Sequence, residues 1–353
     1  VTEFPTIGGL SDAIGCVNDI PIRVAAMQQS RLLITGNSGA GKSRTLRRLI
    51  EQTHGHVQQF IFDPEDEFFT LREKFDFILA GSEDADCPIH PGSAAALAEK
   101  AMELNISMVL GLEGLELQDR FVFVSEFLNS LMSTRKDLRR PVMVVIDEAD
   151  IYAPNGCEKA RPGKDEFGDC GLSVVNMAIR GRKRGFFAVL ATQHPAILSA
   201  TVRGACVSKL VGRQSMDIHV DRSAKDIGLR KRDMVRDLAP GEFFATGPAF
   251  DLNRGVEKIF VGECMTSHPE PGQHAMTPPP PRGEVAKILA ELVAASEEKP
   301  TEESETKAVQ SSGPCRECES LRSQIERAKI EGYESGVQAV LAHCNSFTSG
   351  ETA

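Results

Sequence analysis

The 353-residue sequence contains no tryptophan, and aromatic residues make up only 6% of it. That scarcity argues against a surface whose main business is stacking bases or sugars. Long apolar runs are missing too: none approaches the ~18 residues that a membrane-spanning helix requires. The opening VTEFPTIGG has neither the basic start nor the apolar core of a secretory leader. The chain opens on Val rather than Met, which fits a preceding segment outside this sequence. Nor is there a disulfide framework: the nine cysteines (Cys16, Cys87, Cys157, Cys170, Cys206, Cys264, Cys315, Cys318 and Cys344) are odd in number and scattered. They read as reduced thiols in a cytoplasmic protein. CREC at 315–318 has C-x-x-C spacing but no second pair nearby, so it does not make a zinc site on its own.

What is present is ordinary globular material, 41% hydrophobic and 25% charged, enough for one large α/β domain or two smaller ones. The net charge of −10 hides a segregation. Arg180 to Arg236 carries 13 Lys/Arg against four Asp/Glu, whereas Gly55 to Asp119 carries three against 14. The acidic average therefore does not exclude nucleic acid. Lys225, Arg230, Lys231, Arg232 and Arg236 suit phosphate contacts or a solvated helix face equally well.

Short apolar runs alternate with helical patterns. RLLIT (31–35), QQFIF (58–62), FDFIL (75–79), SMVLG (107–111), VMVVID (142–147), FFAVLAT (186–192) and SKLVG (208–212) read as strands covered on both faces. Helices are expected from Lys42 to about Gln52, over 117–138 and over 172–184, and Pro154 to Gly171 reads as a mobile loop. His54 and His56, between a helix and a strand, read as loop residues. The alternation predicts an α/β fold, a doubly wound and mostly parallel sheet with helices on both faces. Residues 1–30 form a short lead-in and 31–265 the core domain. Residues 266–315 form a proline-rich, disordered linker with one short helix (EVAKILAELVAA), and 316–353 a flexible tail with helical pattern, interrupted by Gly332 and Gly336.

GNSGAGKS, residues 36–43, fits G-x-x-x-x-G-K-[ST] between a predicted strand and a predicted helix. Its glycines let backbone N–H groups wrap phosphates, so Gly36, Asn37, Ser38, Gly39, Ala40, Gly41, Lys42, Ser43 and Arg44 are the candidate nucleotide contacts. Lys42 reaches the β- and γ-phosphates of ATP, and the Ser43 hydroxyl is a Mg²⁺ ligand. VMVVIDEAD ends a buried strand in Asp147, the second metal-side group, followed by Glu148 as the base for an attacking water. FFAVLATQHP ends a third strand at Gln193, placed to contact the γ-phosphate or the water.

Together, GNSGAGKS, VMVVIDEAD and GRKRGFFAVLATQHPAILSATVRGACVSKLVGR resemble the HerA/FtsK superfamily of ring-forming P-loop motor ATPases, HerA more closely. IFDPEDEF (61–68) and LAPGEFFATG (238–247) agree, and the resemblance covers about residues 5–265. It implies a RecA/FtsK-like P-loop NTPase domain and a homohexamer with ATP at subunit interfaces. It also implies double-stranded DNA in the pore and a separate nuclease partner. An arginine from one subunit would meet its neighbour's γ-phosphate: Arg182 holds the matching position, with Arg180 and Arg213 as substitutes. His194 stands where the family usually has Arg, the family's N-terminal barrel is missing or cut to about thirty residues, and the acidic tail lies outside the common core.

The expected function is a Mg²⁺-dependent, DNA-stimulated ATPase that translocates on double-stranded DNA, with a nuclease or another protein docking on the tail. One alternative is an ATPase that energises protein assembly, packaging or secretion. The other is a nucleotide switch, against which Glu148 and Arg182 both argue.

Overall fold

The computed structural model describes residues 5–12, 15–81, 85–252, 255–268 and 283–297. These all fall in one compact unit, Val1–Glu298. The expected tail from 316, with Cys315 and Cys318, lies outside the described residues.

The chain opens with β1 (Thr6–Asp12) and β2 (Gly15–Pro21), then α1 (Val24–Ser30), β3 (Leu32–Thr35) and α2 (Lys42–Thr53). Next come β4 (Gln58–Asp63), β5 (Ile78–Gly81), β6 (Cys87–Pro88), α3 (Ala94–Leu104), β7 (Met108–Gly111) and α4 (Leu117–Ser133). The second half runs β8 (Val142–Ile146), α5 (Ala149–Tyr152), α6 (Glu166–Arg180), β9 (Phe186–Thr192), α7 (Ala200–Ala205), β10 (Ser208–Val211) and α8 (Asp217–Ile227). It closes with β11 (Glu242–Thr246), β12 (Val256–Val261) and α9 (Gly283–Glu297).

All twelve strands form one sheet in the order β2-β1-β12-β11-β10-β3-β9-β8-β4-β7-β5-β6. From β10 to β6 every neighbouring pair is parallel, and from β10 to β2 every pair is antiparallel. The parallel strands are buried along their whole length apart from the last residue of β6, as expected where helices cover both faces. One face packs Phe60, Val144 and Leu190 against α3, α4 and α6, and the other packs Ile34, Ile61 and Val189 against α2. On α4 the buried residues Phe121, Val124, Leu128 and Leu131 recur at helical spacing, which is why this segment folds as a helix onto the sheet.

The seven expected strands are present, with shifted ends. FDFIL pairs only from Ile78, because Phe75 and Phe77 instead pack their rings against His54, with centroids 4.9 and 5.0 Å away. Residues 154–171 are not one loop: α6 starts at Glu166, where the Asp165 carboxylate accepts the Gly168 N–H at 2.6 Å. Gly171 then lies so close to Cys157 that a β-carbon there would sit 2.4 Å from the cysteine's own. The helix expected to reach 138 ends at Ser133, and the one expected to reach 184 ends at Arg180; a short 3-10 turn follows each. Within the segment read as a lead-in, β1 and β2 pair antiparallel at the sheet's edge. The EVAKILAELVAA helix is α9, whose Ala286, Leu289 and Val293 are buried against the core. No helix among the described residues is long and apolar enough to cross a membrane.

The turn after β4 carries a buried carboxyl, which burial pushes well above the usual carboxylate range. Asp63 accepts the N–H groups of Glu67 and Phe68 at 3.1 and 2.7 Å, and Asp66 takes a left-handed conformation with φ 51°. Burial pushes the Asp66 carboxyl up to about 6. A carboxyl whose folded-state pKa is raised holds its proton more tightly in the folded chain. Its cost therefore appears as pH rises from the unfolded value near ~4 and is complete above the folded one. Asp66→Asn should thus gain about 2 kcal/mol on the parent between pH 4 and 7, the two converging at pH 4, as urea unfolding at each pH would measure.

Candidate active site

Three adjacent parallel strands end together. Thr35 of β3 is in register with Thr192 of β9, and Ile146 of β8 with Leu190 of β9. The residues immediately after these strand ends are Gly36, Gln193 and Asp147, so hydrogen-bond register alone brings together groups far apart in sequence. Ligands in open parallel sheets bind at these carboxyl ends.

The 36–43 loop turns sharply into α2. Gly39 and Gly41 have φ 75° and 95°, which only glycine adopts without cost. A β-carbon on Gly41 would also sit 3.2 Å from the backbone nitrogen of Gly241, which donates to the Ala40 carbonyl at 3.0 Å. The glycine of LAPGEFF therefore braces the loop from the antiparallel side of the sheet. On the other flank, Asn37 N–H donates to the Arg213 carbonyl at 2.9 Å.

Lys42, 6% exposed, donates to Asp147 Oδ1 at 2.8 Å and to Glu148 Oε1 at 3.1 Å. Burial works against its charge, but the two carboxylates outweigh it and hold the ammonium above the ordinary lysine range. Glu148 has φ 45°, a conformation unfavourable for a residue with a side chain, and its N–H donates to Asp147 Oδ1 at 2.8 Å. That kink turns two consecutive side chains toward one lysine. Gln193 Nε2 completes the set, donating to the same Glu148 oxygen at 2.6 Å. The expected residues Lys42, Asp147, Glu148 and Gln193 thus form one hydrogen-bonded cluster.

These groups and Ser43 line a cavity of about 800 Å³. The Ser43 hydroxyl and the Asp147 carboxylate are hard oxygen donors, the chemistry Mg²⁺ takes, and Lys42 already sets a cation against Asp147. These residues fit the ion. Among the described residues no cluster of His, Cys, Asp and Glu could hold a metal by itself.

Arg182 is not in this cluster. It is exposed on the turn before β9 and donates to Gln29 Oε1 at 3.1 Å. Gln193 follows the other end of the same seven-residue strand, about 20 Å away at ~3.3 Å per residue. Arg182 therefore cannot serve its own subunit's site. Arg180 lies at that same far end, whereas Arg213 flanks the phosphate loop.

The basic block does not form one surface either. Arg203 and Lys209 are buried, and Arg232 and Arg236 pair with Asp217, Asp221 and Asp233 on or beside α8. Three groups at the site were missed by sequence reading. Asp150 stood in VMVVIDEAD with no role assigned to it, yet its helical spacing from Asp147 was a usable signal. Glu67 stood in the acidic turn. His268 had no local signal: it reaches the cavity because residues 263–267 are tied across α2, Glu51 accepting Met265 N–H at 2.7 Å and Thr266 N–H at 2.9 Å.

Comparison with known proteins bears on the fold. Residues 25–165 match the family model of an AAA domain. No curated protein matches the sequence. Among solved structures, VirB4 of Thermoanaerobacter pseudethanolicus is 13% identical, covering 74% of this chain and 97% of its own at a TM-score of 0.51. The plasmid coupling protein TrwB in complex with ADP and Mg²⁺ is 13% identical, covering 71% and 89% at 0.50. The genome packaging NTPase B204 of Sulfolobus turreted icosahedral virus 2 is 14% identical, covering 66% and 97% at 0.44. The fold and the site together define a P-loop NTPase.

Asp147→Ala should leave Lys42 half compensated in a buried position and lower stability by about 3 kcal/mol, measured by urea unfolding without nucleotide.

Proposed function

We propose that this chain is an ATP-hydrolysing ring motor of the HerA/FtsK superfamily, HerA-like, that translocates on double-stranded DNA. The observation that carries it is the split between two ends of the sheet. The hydrolytic groups Lys42, Glu148 and Gln193 gather at the carboxyl ends of the strands, while Arg182 stands exposed at the opposite end. Arg182, about 20 Å away, can serve that site only from a second copy of the chain; Arg213, beside the phosphate loop, is the candidate on the same chain.

In this reading backbone N–H groups of residues 36–44 hold the triphosphate, and Lys42 turns from its carboxylates to the β- and γ-phosphates. Ser43 and Asp147 hold Mg²⁺, which supplies charge neutralisation to the phosphates when bound. Glu148, released from Lys42, accepts a proton from the attacking water. Gln193, hydrogen-bonded to Glu148, registers whether the γ-phosphate is present. Arg182 of the neighbouring copy stabilises the charge that develops in the transition state. Arg180, Arg182 and Lys183 form no ion pair among the described residues and are exposed, so these three cations are open to a partner. TrwB and VirB4 are a coupling protein of conjugation and a protein of the same fold, so the likeness supports the motor fold and leaves DNA as the track to experiment.

The test is steady-state ATP hydrolysis with and without double-stranded DNA. Turnover should rise with DNA and fall by at least ~10²-fold in Glu148→Gln. Arg182→Ala should cost about 10³-fold or more in rate, and mixing Arg182→Ala with Glu148→Gln subunits should restore part of it, since each supplies what the other lacks. A rate indifferent to DNA but raised by a protein partner would replace the DNA motor with the assembly or secretion reading.

A further inference from the structure

Gln193 is the single residue between two that are fastened to the same carboxylate. Thr192 Oγ1 donates to Asp150 Oδ1 at 2.5 Å, and His194 Nδ1 lies 3.1 Å from Asp150 Oδ2. The two fastened residues are also joined to each other, His194 N–H donating to Thr192 Oγ1 at 2.9 Å. Asp150 and Thr192 are 9% and 0% exposed, so their contact is buried, while the His194 ring is half-exposed at its outer side. A buried carboxylate costs several kcal/mol unless its oxygens are satisfied, and here both are taken up by the strand end that bears Gln193.

The other end of the junction is equally specific. Asp150 belongs to α5, a single turn of helix whose N-cap is Glu148. The carboxylate that grips β9 on both sides of Gln193 is thus two residues from the one that Gln193 touches. Two ties connect β9 to this turn: the Gln193 amide on Glu148 at 2.6 Å, and the Asp150 carboxylate on Thr192 and His194. The second fixes the distance across which the first must reach.

We infer that Asp150 is a positioning residue for hydrolysis, acting through Thr192 and His194 to hold the Gln193 amide against Glu148. The inference rests on the ATPase reading above. It also gives His194 a use at a position where an arginine is usual in the family it resembles: the shorter imidazole reaches Asp150 on its own subunit. The His219 ring of α8 packs beside the His194 ring, with centroids 5.3 Å apart.

A positioning role predicts non-additive losses. Asp150→Asn keeps the shape but replaces one oxygen that pairs with His194, and Thr192→Val removes the hydroxyl shared by Asp150 and His194 N–H. Either should lower the maximal ATPase rate by about 10²-fold, the cost of misplacing a catalytic group by ~1 Å. ATP affinity, measured with a fluorescent ATP analogue on the full chain, should stay within about twofold, because neither residue belongs to the phosphate loop. The deciding variants are Asp150→Asn/Gln193→Ala and Thr192→Val/Gln193→Ala. If Asp150 works through Gln193, each double variant turns over no more slowly than Gln193→Ala alone. Losses that multiply in both doubles, or single variants as fast as the parent, overturn the proposal while leaving the ATPase reading intact. If Gln193→Ala and Glu148→Gln both hydrolyse ATP at the parent rate, the reading of the site fails and the proposal fails with it.

Discussion

The buried ammonium of Lys42 is the charge on which the site depends. It lies at the start of α2, where the helix dipole already favours negative charge, and its two partners come from the far side of β9. Such an arrangement is held together only if β8 and β3 keep their register through β9, since a slip of one residue would turn Asp147 toward the other face of the sheet. The strands around it are continuous apolar runs buried on both faces, and that burial sets the frame. Asp147 and Gln193 stand directly after the last residues of two of these runs, β8 and β9.

One of the chain's strained backbone positions among the described residues lies at the same place. Glu148 takes a left-handed backbone and Gly41 a positive φ, while Gly241 presses on the phosphate loop from the antiparallel edge. Strain of about 1–3 kcal/mol at a residue persists only where surrounding contacts over-determine it. Here they do: Glu148 is tied by its own N–H to Asp147 and by its side chain to Lys42 and Gln193. A site so constrained presents the Glu148 carboxylate in one orientation.

Charge elsewhere is arranged for structure. Arg47 is fully buried, donates to Thr266 Oγ1 at 2.9 Å and sits 5.4 Å from the centroid of the Phe68 ring. With Arg44, Arg48 and Glu51 it forms one stripe of α2, the pattern of a solvated helix face. Residues 263–267 lie along it instead: their backbone and hydroxyl groups meet Arg47, Arg48 and Glu51, and the Glu263 carboxylate pairs with Arg44. The arginines of the block around α8 are likewise largely spent on neighbouring aspartates. Counting charges along the sequence could not separate such residues from those left at the surface.

The sequence by itself determined the parallel sheet and the candidate groups that stand at its carboxyl ends. Uninterrupted apolar runs can only be covered on both faces, and the 36–43 loop and the acidic pair at 147–148 follow such runs directly. Local pattern carried no information about what pairs across distance. That β1, β2 and β12 extend the sheet, that 263–267 lie over a charged helix stripe, and that Asp150 grips both neighbours of Gln193 are results of long-range packing. The separation of Arg182 from Gln193 was decided by tertiary structure too: seven residues of straight strand put one on each end of the molecule. A motif records which residues follow one another, whereas only the folded sheet decides which of them can touch.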